Sequence, residues 1–141
     1  MKNALMLATV LGVLGTGVYA APSFALETFP ACTSDKVLRK LVKRFNQTEK
    51  IYWEERGLEL QDVANPHNHA TNPFEDSPIN RHYCHGDAVF SDGRSHRIHY
   101  LIEEGAGLAG FTWNVEYCIH GLDPWRYYDG RCRVLSRGGH Y

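Results

Sequence analysis

Apolar side chains in the first half of the chain recur at three- and four-residue intervals, the period of one face of an α-helix. They belong to Val37, Leu38, Leu41, Val42, Phe45 and Tyr52. The stretch Thr33-Ser34-Asp35 before them is a capping signal, and Gly57 after them is a natural stop. The pattern predicts a long N-terminal helix over residues 34–56.

The stretch after this helix has no comparable period. Leu58 and Leu60, separated by a polar residue, predict a short strand. Residues 64–79 contain three prolines together with Asn and His, which predicts an irregular loop. Loops of this length in a compact domain are typically functional or mobile.

The second half alternates apolar and polar positions, the period of a β-strand. It predicts strands over residues 81–90, 95–103 and 111–119, with turn signals at residues 91–93 and 105–110. One long N-terminal helix packed on an antiparallel β-meander of three to four strands is an α+β fold.

The strand register follows from turning the apolar side chains toward the helix. In the second hairpin, the predicted pairs are Ile102 with Phe111, Tyr100 with Trp113, and Ile98 with Val115. In the first hairpin, a three-residue loop with a glycine bulge pairs Phe90 with Arg94. This choice places Cys84 on the core face.

The four cysteines all follow the apolar N-terminal run, and they form no Cys-x-x-Cys zinc motif. An even number in an exported chain predicts two disulfides. Cys84 faces the core beside the helix that Cys32 opens, whereas Cys118 faces outward and meets Cys132 as the tail returns. The predicted pairs are Cys32–Cys84 and Cys118–Cys132.

The N-terminus has the pattern of an export signal. A positive residue precedes an uncharged apolar run over residues 4–14, and Ala20 and Ala25 each end a candidate cleavage site. The run is too short for a transmembrane helix. We expect a signal peptide over residues 1–25, one domain over residues 26–141 without a transmembrane segment, and a periplasmic or secreted location.

Composition narrows the class of protein further. The chain has 141 residues, with 15 Lys and Arg against 16 Asp and Glu. This balance excludes a bulk nucleic-acid binder, which carries a large positive excess. A hydrophobic fraction of 43% excludes disorder as the main state.

Several short motifs carry a resemblance to a known group of proteins. They are the Tyr-Cys pair at 83–84, the Phe-Ser-Asp-Gly turn at 90–93, the glycine-rich segment at 102–110 and the Gly-Leu-Asp-Pro-Trp stretch at 121–125. The chain resembles small exported alphaproteobacterial proteins of unknown function over most of its mature length. The resemblance implies export and transfers no activity. The predicted layout is also similar to cystatin-like folds in topology, which does not define a function.

The loop closed by the second predicted disulfide is the main candidate binding site. It contains Trp125, Arg126, Tyr127 and Tyr128. These residue types are enriched at binding hot spots, and a closed loop holds them at low entropic cost. The alternative is that they only cover the sheet edge. The leading hypothesis is a non-enzymatic, inhibitor-like exported module that binds a protein or another ligand.

A metal-binding protein is the second hypothesis. His67 and His69 form a His-x-His pair in the predicted loop, and imidazoles at such spacing bind Zn, Cu or Ni. The alternative is that they are ordinary exposed loop histidines.

A small enzyme that uses the outer sheet face is the third hypothesis. The predicted register places Arg97 opposite Glu116 and His99 opposite Asn114, with Glu103 nearby. A His–carboxylate surface supports general acid–base chemistry. No nucleophile joins it, so we assign no catalytic residue.

No cofactor is expected. The Gly105-x-Gly107-x-x-Gly110 motif joins two predicted strands, whereas a dinucleotide site joins a strand to a helix.

The predicted helix also has a basic first half. Its positive residues are Lys36, Arg39, Lys40, Lys43 and Arg44. They suit an anionic envelope component, or they form a solvated face.

Overall fold

The computed structural model describes residues 29–52, 56–72, 77–107, 110, 112–123, 126–128 and 131–136. It contains an antiparallel four-stranded sheet, a helix and two disulfides, which confirms the α+β class. The expected signal peptide lies outside the described residues.

The elements follow one another simply along the chain. Helix α1 spans Asp35–Tyr52, and a short helix α2 spans Arg133–Ser136. The strands are β1 Leu60–Thr71, β2 Arg81–Phe90, β3 Ser95–Glu103 and β4 Asn114–Ile119. Each strand pairs with the next in chain order, so the sheet is a meander with β1 and β4 at its edges.

Helix α1 forms where the apolar period predicts it. The Ser34 carbonyl accepts a backbone hydrogen bond of 2.9 Å from Val37 and so begins the first turn. Val37, Leu41 and Phe45 are buried at four-residue spacing along one face. Arg56, the predicted last residue, lies outside the helix.

The main core lies between α1 and one face of the sheet. From the sheet, Phe90, Tyr100 and Ile102 are fully buried in it. The Tyr100 hydroxyl donates a hydrogen bond of 2.8 Å to the backbone carbonyl of Cys32. The predicted Cys32–Cys84 disulfide is confirmed, and it ties the chain just before α1 to β2.

Strand β1 replaces part of the irregular loop predicted over residues 64–79. The strand continues to Thr71 and pairs with β2, so the prediction is wrong for residues 64–71. Register shifts interrupt the pairing, and Asn65 has a positive φ of 50° beside Pro66. A bulged edge strand tolerates a proline, because the missing N–H is not needed for the ladder there.

The first hairpin has the predicted three-residue loop. The Phe90 N–H donates to the Arg94 carbonyl, and the Gly93 N–H donates to the Phe90 carbonyl, both at 3.0 Å. Gly93 has a φ of +81°, the left-handed conformation that favours glycine. Cys84 and Ala88 are buried on the core face, as this loop requires.

The second hairpin has a different register from the predicted one. Ile102 pairs with Val115 and not with Phe111, a displacement of four positions (from 111 to 115). The Gly107 N–H donates a hydrogen bond of 2.8 Å to the Thr112 carbonyl shortly before β4 begins. An even displacement leaves each side chain on the same face, so the core-facing assignment survives.

A second apolar cluster covers part of the opposite sheet face. The predicted Cys118–Cys132 disulfide is confirmed, and it brings the tail back to the sheet. Helix α2 then packs Leu135 against Tyr83 and Leu101, and all three are buried. The alternation of apolar and polar residues within the strands did not predict that the C-terminal segment packs on this face.

Leu135 and its neighbour Val134 provide a test of this tail placement. Leu135→Ala should lower the free energy of unfolding by about 2–5 kcal/mol because it empties a buried site. Val134 is 53% exposed, so Val134→Ala should change it by no more than about 0.5 kcal/mol. Guanidinium unfolding of both variants measures this, and equal losses would contradict the packing of α2.

Candidate functional site

A cleft with a volume of about 580 Å³ lies between α1, β4 and the loop closed by Cys118–Cys132. Apolar and ring-bearing side chains form much of its lining: Phe45, Tyr52, Tyr117, Ile119, Leu122, Tyr127 and Tyr128. The polar side chains that line it are Arg44, Thr48, Glu49, Glu116 and Asp123. We call this site the aromatic cleft.

The Asp123 carboxylate shapes the loop side of the aromatic cleft. Its two oxygens accept hydrogen bonds of 3.1 Å from the backbone N–H groups of Tyr127 and Tyr128. The Arg126 N–H donates to the Asp123 carbonyl at 3.1 Å. An aspartate that bonds backbone groups a few residues ahead is a common way to hold a tight turn. The loop therefore presents its tyrosines from an internally bonded turn.

The predicted binding residues have different environments in this loop. Tyr127 is 78% exposed, and its ring meets the edge of the Tyr128 ring at a centroid distance of 4.8 Å. Tyr128 is half-buried and also packs on the second apolar cluster. Arg126 is exposed and is not among the lining residues of the aromatic cleft. Trp125 lies outside the described residues.

Burial shifts the pKa values of two cleft tyrosines, Tyr117 and Tyr128. It raises the pKa of Tyr128 to about 12, with a further contribution from the nearby Glu116 carboxylate. Burial also raises the pKa of Tyr117, although a hydrogen bond with Thr48 acts in the opposite direction. Both hydroxyls are therefore protonated at neutral pH and can donate a hydrogen bond to a ligand.

The helix side of the aromatic cleft was missed by the sequence analysis. The Phe45 and Tyr117 rings form part of its lining, with centroids 6.3 Å apart. Buried Glu49 also lines it and forms an ion pair with Arg56, whose Nε lies 3.1 Å from the carboxylate. The position of Glu49 in the sequence was the available signal. It lies four residues after Phe45, on the apolar face of the helix, where an acidic residue is rarely buried unless it is paired.

Four of the basic residues of α1 divide into two groups. Lys40 donates to the Trp113 carbonyl at 3.2 Å and lies 4.4 Å from the centre of its ring. Arg44 donates to the Val115 carbonyl and, at 3.1 Å, to the Asn114 side chain. These two cations therefore cover the start of edge strand β4.

The other group borders a separate groove. Arg39 and Lys43 line it together with Asp35 and Asp62, so its charge is mixed.

A row of five histidines crosses the outer face of the sheet. Its members are His67 and His69 on β1, His85 on β2, His99 on β3 and His120 just after β4. Ring centroids are 3.7 Å apart for His67–His85, 5.6 Å for His69–His85, 6.0 Å for His85–His99 and 5.0 Å for His99–His120. The predicted His-x-His pair is thus on a strand and not in a loop, because β1 continues through it.

The carboxylates expected beside these histidines have other positions. Leu101, and not Arg97, lies opposite Glu116, and His99 lies opposite Cys118. Glu103 forms an ion pair of 2.7 Å with Arg81. The four-position displacement of β4 explains why the predicted His–carboxylate surface is not assembled.

Three members of the row, His85, His99 and His120, have lowered pKa values and are neutral at pH 7. Burial, reinforced by the neighbouring His120 and His85, lowers the pKa of His99 to about 4. Burial also lowers the pKa of His85 and that of His120, and the positive charge of Arg97 acts in the same direction on both. Neutral imidazole is the form that ligates metals. Within the described ranges, no group of three or more His, Cys, Asp or Glu is already arranged to hold a metal ion.

Comparison of the chain with protein-family models, curated proteins and solved structures finds no match. In the part of the chain that the structure describes, no helix has the length and apolar character needed to cross a membrane.

The lowered pKa of His99 predicts an acid-sensitive fold. The unfolded histidine takes up a proton near pH 6.5, whereas the folded one does so only near pH 4. Above pH 6.5 both forms are neutral, so stability is lost as the pH falls through this interval. His99 is only half-buried, so we expect its share of the loss to be about 2 kcal/mol.

Urea unfolding at pH 7 and pH 4.5 tests this prediction in the wild-type protein and His99→Gln. The variant should lose less stability on acidification, because it lacks the shifted group while it keeps all carboxylates. An identical pH dependence of the two proteins would contradict it.

Proposed function

We propose that this protein is a small exported binding module that is not an enzyme, and that it binds a segment of a partner protein in the aromatic cleft. The cleft is the observation that carries the proposal. It joins an internally bonded loop, the edge of the sheet and one face of α1 into a single concave surface. Concave sites with aromatic walls and a few polar groups are typical of ligand binding.

The disulfides support export. Both pairs join cysteines of the same chain, and no cysteine is free. Such disulfides indicate an oxidising, non-cytoplasmic location. Within that class we propose the periplasm or secretion, in keeping with the signal pattern over residues 1–25 and the resemblance to exported alphaproteobacterial proteins.

The chemistry of the lining favours a basic and aromatic segment. Glu116 and Asp123 contribute two carboxylates against the single guanidinium of Arg44, and the third carboxylate, that of Glu49, is paired with Arg56. Tyrosine faces attract both aromatic rings and cations. An anionic envelope component fits this lining less well, so of the two partner classes we propose the protein.

Tyr127 is the residue to test. It is highly exposed at the cleft, so Tyr127→Ala should reduce affinity while the free energy of unfolding changes by no more than about 0.5 kcal/mol. If Tyr127 is a binding hot spot, its replacement by alanine should lower the affinity by at least about 30-fold, which corresponds to about 2 kcal/mol of binding free energy. The probe is an array of synthetic peptides rich in Arg and aromatic residues, with acidic counterparts of equal length.

Ile51→Ala is the matched control. Ile51 is 69% exposed on the same helix and does not line the cleft, so binding should be unchanged. Selective capture of the basic peptides by the wild-type protein and Ile51→Ala, but not by Tyr127→Ala, supports the proposal. Binding that is equal in all three proteins, or a preference for the acidic peptides, overturns it.

A further inference from the structure

Three histidines from two neighbouring strands meet on the outer face of the sheet, away from the aromatic cleft. His69 lies at the register shift between Asn68 and Ala70 on β1, where the strand bulges. His67 is the register partner of His85 on β2. The His85 ring contacts both, with centroids 3.7 Å and 5.6 Å away. The pairing of His67 with His85, together with the bulge at His69, therefore brings three imidazoles together.

The hydrogen bonding of His67 selects one of its nitrogens. Its Nδ1 lies 2.7 Å from the backbone carbonyl of Asn65. A carbonyl only accepts, so Nδ1 carries the proton and the neutral ring keeps its lone pair on Nε2. A carbonyl that holds the other ring nitrogen in this way is the usual support of a metal-ligating histidine.

The surroundings leave room for an ion. An opening with a volume of about 340 Å³ lies beside the rings of His69 and His85. It is also lined by His99, Arg97 and Ser136, and His67 is not among its lining residues. The positive charge of Arg97 would repel a bound cation. The Arg97 guanidinium lies 3.8 Å from the Asp87 carboxylate, whose negative charge compensates it. The same carboxylate accepts a hydrogen bond of 3.0 Å from the Asn65 side chain. All four cysteines are in disulfides, so no thiolate competes for the ion.

We propose that His67, His69 and His85 bind one divalent transition-metal ion and leave a further coordination position open toward solvent. Three histidines with an open position form a recurrent zinc site. The rings now pack edge to face, and rotation about side-chain bonds would turn them toward a common ion. His99 borders the same opening, but it is half-buried and its ring centroid lies 6.0 Å from that of His85, farther than either histidine of β1, so we leave it out of this set.

Titration with Zn²⁺ tests the site. The protein is produced by export to an oxidising compartment, so that its disulfides form, and is then purified. Calorimetry measures Zn²⁺ binding, and the absorption spectrum with Co²⁺ reports the coordination of the ion. We expect one ion per chain. His67→Ala combined with His69→Ala should weaken binding by more than the roughly 10–100-fold that the loss of an outer supporting group costs. Both side chains are exposed, so this variant should keep the fold.

Two further variants complete the test. His85→Ala should also remove binding and the Co²⁺ signal. His82→Ala is the matched control, because His82 lies on the same strand but packs on Phe29, with ring centroids 4.6 Å apart. It should bind Zn²⁺ like the wild type. Absence of binding at millimolar Zn²⁺, or equal affinity in the wild type and the His67, His69 double variant, overturns the proposal. None of these variants changes a residue of the aromatic cleft, so the result of this test is independent of the proposed binding function.

Discussion

The attachment of α1 to one face of the sheet is the constraint on which the rest of the structure depends. Burial of a side chain such as Leu41 or Phe45 contributes roughly 1.5–3 kcal/mol, and α1 buries a full stripe of them. The Cys32–Cys84 disulfide and the Tyr100 hydrogen bond hold the beginning of α1 against the sheet. Because α1 occupies this face, the returning tail and the histidine row lie on the other.

The two candidate sites arise at the two ends of this arrangement. The aromatic cleft forms beside edge strand β4, where α1 reaches the strand through Arg44 and the disulfide-closed loop supplies Tyr127 and Tyr128. The three-histidine cluster forms at the opposite edge, where β1 pairs with β2. The sites share no lining residue, so each proposed ligand can be removed without disturbing the other.

Much of the fold could be predicted, because it rests on local periods. The bounds of β2 and β3, the three-residue turn before Arg94 and both disulfide pairs follow from alternation and from the face on which each cysteine lies. The incorrect register of β4 did little harm to the core prediction, since a displacement of four positions preserves the facing of every side chain. It did remove the predicted pairing of Arg97 with Glu116. The face on which a side chain lies depends only on whether the register displacement is even or odd. The identity of its cross-strand partner depends on the exact number of positions.

The sequence by itself determined the α+β class and the helix face, because each depends on neighbours a few positions apart. It also determined the cysteine pairing, because the face on which each strand cysteine lies follows from local alternation. Only the tertiary structure decided that residues 64–71 form a bulged edge strand, since Pro66 and the polar side chains around it read locally as a loop. Only the tertiary structure placed Leu135 on the outer face and Glu49 in the cleft. The same holds for the meeting of His67 and His69 with His85. These contacts join residues that are distant in the chain, and pairing between strands sets them, which no local period encodes.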